Sequence, residues 1–110
     1  MDKSNTRAFS HKQEQDVAKL LNGRVVANSG ATKRYKGDVA TDTFLIECKT
    51  ATQPKQSFAI KKEWLEDIRK ESIREGKLHG IVAFNFGPSQ QNFFIIDEDL
   101  MYKIQEMFRS

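Results

Sequence analysis

The spacing of apolar and polar residues divides the chain into three predicted helices and five predicted strands. Apolar residues that recur every three or four positions predict helices over 10–22, over 61–75 and from Asp97 onward. Short apolar runs bounded by glycine, proline or polar residues predict strands at 24–28, 37–40, 44–50, 80–86 and 92–96. Phe58 and Ile60 either form one more short strand or lead directly into the second helix. The order α-β-β-β-α-β-β-α is typical of a single α/β domain, with a mixed central sheet flanked by helices.

The first helix carries an acidic residue on its apolar face. We predict that this helix begins at Ser10, because Gln13 three residues later completes a capping-box pattern. Residues 1–9 would then form a flexible basic arm, and 10–110 the domain. Glu14 lies on the same helical face as the apolar residues that follow it, Val17, Ala18 and Leu21. Two interpretations stay open for Glu14: a first-turn glutamate stabilised by the helix dipole, or an acid that belongs to a functional site.

Composition and charge narrow the class of protein. A chain of 110 residues is long enough for one domain with its own core. No run approaches the roughly 18 consecutive apolar residues of a membrane-spanning helix, and the polar start of the chain has no apolar signal core. Because Cys48 is the single cysteine, an internal disulfide is excluded, and we expect a cytoplasmic, intracellular protein. The net charge of +3 suits a polyanionic partner but is also ordinary for a soluble protein.

The predicted strand 44–50 ends by presenting a carboxylate and an amine. Because side chains alternate along a strand, Glu47 and Lys49 point the same way, with their Cα atoms roughly 6.5 Å apart. Burying both charges costs free energy unless something compensates. Asp38 lies across the predicted hairpin from Glu47, and a divalent metal held by both acids would compensate. Two acids and a lysine are the minimal set for metal-assisted phosphodiester hydrolysis. The alternative is an exposed edge strand with a surface ion pair between Glu47 and Lys49.

These residues resemble the core of the PD-(D/E)xK nucleases and, within that superfamily, the archaeal-type Holliday-junction resolvases. Gly37-Asp38 and, after a gap of eight residues, Glu47-Cys48-Lys49 correspond to the acid pair and its lysine. The resemblance extends from about His11 to Asp97. It also includes a first-helix acid, a Ser-Gly loop, a following helix and a buried strand, which are Glu14, Ser29-Gly30, 64–68 and 81–86. One departure is Gly37, which stands where the family usually has proline.

The resemblance implies a restriction-endonuclease-like fold and a metal-dependent DNA endonuclease. Mg²⁺, with Mn²⁺ as a substitute, would be held by Asp38, Glu47, the backbone carbonyl of Cys48 and Glu14. Lys49 would orient or deprotonate the attacking water, or stabilise the transition state. The implied substrate is branched DNA, and the implied reaction is the resolution of four-way junctions in recombination or repair. The alternatives are another endonuclease of the superfamily, of restriction, repair or phage recombination type, and a non-catalytic DNA-binding module on the same fold.

A polar loop before Asp38 supplies candidate DNA contacts. Its basic and aromatic residues could bind phosphates or simply form a solvated loop; they are Lys33, Arg34, Tyr35 and Lys36. The resemblance implies that Ser29 contacts the scissile phosphate, although a serine beside a glycine is also ordinary turn chemistry.

We also expect a homodimer. Resolving a four-way junction needs cuts on two opposed strands, and a two-fold dimer would place two identical sites on a two-fold-symmetric substrate. The candidate interface consists of large apolar residues near the end of the chain, which could instead close the core: Phe93, Phe94, Met101, Met107 and Phe108.

Overall fold

The computed structural model describes residues 3–27 and 37–109, with side chains described from Arg7 onward in the first helix. In these two ranges the chain forms three helices and one five-stranded sheet. The elements are α1 (Lys3–Leu21), β1 (Arg24–Val25), β2 (Val39–Ala40), β3 (Phe44–Lys49), α2 (Lys62–Arg74), β4 (His79–Phe84), β5 (Phe93–Ile95) and α3 (Glu98–Arg109). The predicted order of helices and strands is confirmed. None of the described helices is long and apolar enough to cross a bilayer.

The five strands lie side by side in chain order, from β1 to β5. β3 and β4 run parallel, whereas the other neighbours run antiparallel, so the sheet is mixed as predicted. A parallel pair needs a crossover connection, and α2 provides it between β3 and β4. β3 is therefore an internal strand, with β2 on one side and β4 on the other.

Helices cover both faces of the sheet, because successive strand residues point to opposite faces and both sets are apolar. One face packs against α1 and α3 through a buried cluster that contains Val17, Ile46, Ile81 and Leu100. The other face packs against α2 through a second cluster of Ala40, Leu45, Ile68 and Val82. Gly80 allows α2 to approach closely, since a Cβ atom there would lie 2.5 Å from the Ile68 carbonyl oxygen.

Two local predictions differ from the structure. α1 begins at Lys3 rather than at Ser10, so residues 3–9, predicted as an arm before the helix, are helical. Gln13 therefore lies inside the helix, and the capping-box prediction is wrong. Of the two alternatives for Phe58 and Ile60, the structure shows the second, because neither residue belongs to a strand and the segment from Thr50 to Lys61 leads into α2 without regular structure.

Candidate functional site

Asp38 is held against β3 by main-chain hydrogen bonds. Val39 pairs with Ile46 across the β2–β3 ladder, yet the Asp38 amide also donates to the Ile46 carbonyl, at 2.8 Å. Two successive residues thus oppose Ile46, as in a β-bulge, an irregularity that re-aims a side chain. The re-aimed Asp38 carboxylate accepts a hydrogen bond of 2.8 Å from the Cys48 amide. Asp38 thus lies beside the Glu47-Cys48-Lys49 triplet, where the hairpin prediction placed it.

The backbone carbonyl of Cys48 is directed toward the same edge of β3. In a strand, the N–H and the C=O of one residue point to the same side. Because the Cys48 amide donates to the Asp38 carboxylate, the Cys48 carbonyl is directed toward that side as well. The acid and the carbonyl assigned to one metal by sequence are therefore on the same side of the strand.

Glu47 and Lys49 form a partly buried ion pair. The Lys49 Nζ lies 3.4 Å from a Glu47 carboxylate oxygen, and the two side chains are 29% and 22% exposed, respectively. The same Nζ lies 4.5 Å from the centroid of the Trp64 ring, where a cation is attracted by the π electrons. Since β3 is internal, the alternative of an exposed edge strand does not apply.

Glu14 reaches the same neighbourhood from α1. Burial raises the pKa of the Cys48 thiol well above its ordinary range, and the negative charges of Asp38, Glu14 and Glu47 raise the pKa further. All three carboxylates therefore lie near one side chain, although α1 and α2 cover opposite faces of the sheet. Because α1 begins at Lys3, Glu14 does not lie in the first turn of the helix, so the helix-dipole interpretation is wrong. The other interpretation, that Glu14 belongs to a site, stays a prediction.

A cavity of about 140 Å³ opens between Glu47 and Lys49 on one side and α2 on the other. Three acids of α2 line it at a spacing of four residues, which places them on one helical face; these are Glu63, Asp67 and Glu71. Glu71 is buried and is held by Arg74 at 3.2 Å. Sequence reasoning missed these acids. Their spacing was visible, but nothing in the sequence indicated that this face meets Lys49.

Gln13 is a second residue that sequence reasoning missed as part of the site. Its side chain is 3% exposed, and its Nε2 donates to the carbonyl of Lys49 at 2.8 Å and to the Asn92 side-chain oxygen at 3.0 Å. Among the described residues, no donor reaches its Oε1. Gln13 thus ties α1, next to Glu14, to the end of β3. A signal existed, because Gln13 stands four residues before Val17 on the buried face of the helix.

Gly37, which stands where the nucleases that the sequence resembles usually have proline, has a backbone conformation that proline cannot adopt. Its φ is +70°, whereas the proline ring fixes φ near about −65°. An added Cβ would also lie 2.7 Å from Leu45 Cγ. Proline could not occupy this position without rearranging the start of β2.

The other residues predicted from sequence fall into three groups: some lie outside the described residues, one packs in the core and four are exposed. The DNA-contact candidates Ser29, Lys33, Arg34, Tyr35 and Lys36 lie outside the described residues. Phe94 packs against the core cluster of α1 and α3. The remaining interface candidates are exposed: Phe93 at 44%, Met101 at 51%, Met107 at 73% and Phe108 at 83%.

One other group of potential ligands lies near the opposite end of β4. His79, Asp97 and Asp99 bring one ligand atom each within 4.8 Å of one another. The Lys103 ammonium lies 3.3 Å from His79 Nε2 and 3.4 Å from Asp99 Oδ2, and Asp97 caps α3 through the Leu100 amide. These contacts within the protein explain why the three side chains lie close together, so a metal is not needed to explain the group.

The donors that the sequence assigned to a metal are the carboxylates of Asp38, Glu47 and Glu14 and the carbonyl of Cys48, all of which bind through oxygen. Carboxylates and a carbonyl suit a hard divalent cation such as Mg²⁺ rather than a soft metal. The chain matches no protein-family model, no curated protein and no solved structure, so this chemistry rests on its own residues.

Proposed function

We propose that this protein is a divalent-metal-dependent DNA endonuclease of the PD-(D/E)xK type, with a restriction-endonuclease-like fold. The observation that carries the proposal is the Asp38 carboxylate fixed on the Cys48 amide, directly beside the Glu47–Lys49 ion pair. The mixed sheet, with the acids on the β2–β3 hairpin, is compatible with that fold.

Asp38, Glu47 and the Cys48 carbonyl would hold Mg²⁺ or Mn²⁺, and Glu14 would complete the set from α1. When bound, the metal would lower the pKa of a coordinated water and stabilise charge on the phosphate. The protein's part is to keep these oxygens in place before substrate arrives. The amide of Cys48 does this for Asp38, and Gln13 does it for the end of β3.

Lys49 acts in this proposal as a fixed positive charge. The Glu47 carboxylate and the face of the Trp64 ring both contact its ammonium, and these two contacts fix the position of the ammonium beside the acids. An ammonium held in this way can stabilise negative charge as it develops on the phosphate. We therefore prefer this role to that of a general base.

Branched DNA, in particular the four-way junction, is the proposed substrate. A domain of this size has few residues to spare for reading bases, which favours recognition of DNA shape over sequence. The exposed side chains of Met101, Met107 and Phe108 offer a surface for the proposed homodimer. A restriction, repair or phage recombination endonuclease would use the same site residues.

The decisive experiment is a cleavage panel of four-way junctions, flaps, single strands and duplexes, with Mg²⁺, with Mn²⁺ and with a chelator. We expect metal-dependent cutting that Asp38→Asn and Lys49→Ala each reduce roughly a hundredfold or more, while folding and DNA binding persist. Asp16→Asn and Lys12→Ala are matched controls, because this exposed pair on α1 lies 3.0 Å apart and away from the site. Full activity in Asp38→Asn would refute the assignment. Binding without cleavage in either metal would favour the non-catalytic module.

Sedimentation of the free protein at micromolar concentration tests the dimer separately. A monomer that still cuts junctions symmetrically would remove the symmetry argument.

A further inference from the structure

An aromatic surface begins at the ring that contacts Lys49. The Trp64 ring lies 6.4 Å from that of Phe58, and Phe58 lies 5.3 Å from Phe84. Phe84 lies 5.8 Å from Phe93 and 5.4 Å from Phe86. These centroid distances are those of rings in contact. We call these five residues the aromatic surface.

The aromatic surface is continuous with the proposed catalytic site. Phe84 pairs with Lys49 across the parallel β3–β4 ladder, and Phe93 pairs with Phe84 across the β4–β5 ladder. Paired residues share a face of the sheet, so these rings extend the face that carries Lys49. At this end of the sheet, Phe93 is 44% exposed. The Phe93 ring on β5 is thus open to solvent, two strands away from the Lys49 ammonium on β3.

The segment that flanks this surface is basic. Residues 50–62 include Lys55, Lys61 and Lys62 and contain no aspartate or glutamate. All three lysines are exposed, and the Lys61 Nζ lies 5.9 Å from the centroid of the Trp64 ring. Rings interleaved with lysines are the combination that binds single-stranded nucleic acid, in which bases stack on the rings and phosphates meet the charges.

We propose that the aromatic surface stacks an unpaired base of the DNA substrate next to the scissile phosphate, with Phe93 as the accessible ring. This inference rests on the proposed function and narrows it. The preferred substrates are then DNAs with unpaired nucleotides at the cut, such as an open junction centre, a flap or a gap, rather than continuous duplex. In a continuous duplex each base is covered by its neighbours and presents no free face to a ring.

The test measures binding in the full-length Asp38→Asn protein, so that cleavage does not interfere. The probes are a flap DNA with 2-aminopurine at the unpaired position and a continuous duplex of the same sequence. We expect Phe93→Ala and Phe93→Leu to weaken flap binding about tenfold, to leave duplex binding unchanged, and to abolish the 2-aminopurine quenching. Phe93→Trp, which keeps an aromatic ring, should behave like the parent. Leu20→Ala is the matched control, because Leu20 is an exposed apolar residue of α1 that belongs neither to the aromatic surface nor to the proposed dimer surface.

Two results would overturn the stacking proposal. One is flap binding by Phe93→Leu equal to that of the parent, since leucine keeps apolar bulk without a ring. The other is dissociation of a dimer by Phe93→Ala in sedimentation, which would mean that a second copy covers this surface. The proposed function is judged apart from these results, by metal-dependent cleavage in the wild-type protein. If the wild type cleaves DNA but the Phe93 variants bind the flap as the parent does, only the stacking proposal is overturned. If the Phe93 variants lose flap binding but the wild type does not cleave DNA, only the proposed nuclease function is overturned.

Discussion

Replacing Gln13 by alanine should destabilise the protein by an amount that can be worked out from its contacts. The substitution removes the donor from two acceptors, the Lys49 carbonyl at 2.8 Å and the Asn92 side-chain oxygen at 3.0 Å. A third acceptor, the Ala83 carbonyl at 3.5 Å, is too distant to add much. An acceptor left buried without a donor costs about 1–3 kcal/mol, and both of these acceptors are partly buried.

The expected loss in the free energy of unfolding is about 3 kcal/mol. Two acceptors alone would give about 2–6 kcal/mol. The lower half of that range applies, because Gln13 Oε1 is buried and no described donor reaches it, so its removal returns part of the cost. For a domain of this size, about 3 kcal/mol lowers the melting temperature by about 10 °C.

Urea unfolding followed by the fluorescence of Trp64, the single tryptophan, measures this loss directly. Gln13→Met keeps most of the side-chain volume, so its difference from Gln13→Ala isolates the cavity contribution. Gln15→Ala is the matched control, because Gln15 is exposed on the same helix and contacts His11 at 3.1 Å. A loss below about 0.5 kcal/mol in Gln13→Ala, a value ordinary for a surface substitution, would refute the reasoning.

Three further predictions concern the residues around the site. Gly37→Ala should lower the urea midpoint by an amount equivalent to about 2–3 kcal/mol, because φ is +70° and the new Cβ would meet Leu45; an unchanged midpoint would contradict this. If the protein cleaves DNA as proposed, Trp64→Leu should slow cleavage about tenfold without changing the proposed metal requirement, whereas Trp64→Phe should keep most activity, since its ring still faces Lys49; equal rates in both variants would count against the cation–π contact. Burial raises the pKa of Cys48 above its ordinary 9.0, so the stability from its neutral thiol is present below that pH and is lost as the pH rises above it. In urea unfolding above about pH 9, wild type should lose up to about 1.4 kcal/mol per pH unit relative to Cys48→Ala, and parallel stability curves would show that the thiol is not protected.

The order of helices and strands could be predicted because the spacing of apolar residues along each segment shows which of its side chains are buried. The alternation in β3 also placed Glu47 and Lys49 on one face, as their shared cavity confirms. The start of α1 could not be predicted in this way. Ser10 and Gln13 form a capping pattern in sequence, but Gln13 bonds to the Lys49 carbonyl, 36 positions away. A local pattern contains no information about such a distant partner.

The position of Asp38 was predicted only to the level of the hairpin. Its carboxylate reaches the Cys48 amide because of the bulge at Ile46, which follows the left-handed backbone of Gly37. The sequence presents Gly37 only as a departure from proline. The acids of α2 were missed for a related reason. Their meeting with Lys49 depends on how closely α2 packs, which Gly80 permits through a contact between distant parts of the chain.

The shortness of β2 explains how the Asp38 carboxylate reaches the backbone of β3. β2 consists of Val39 and Ala40 alone and pairs only with residues 45 and 46 of β3. In the described part of the chain, the next amide on that edge, at Cys48, is therefore taken by a side chain rather than by a strand. A longer β2 would occupy this edge with a backbone ladder and would leave the Cys48 amide unavailable to the Asp38 carboxylate. The proposed metal would contact Asp38 at the point where the ladder stops. If the proposal is right, extending β2 by design should abolish the binding of that metal before it affects folding.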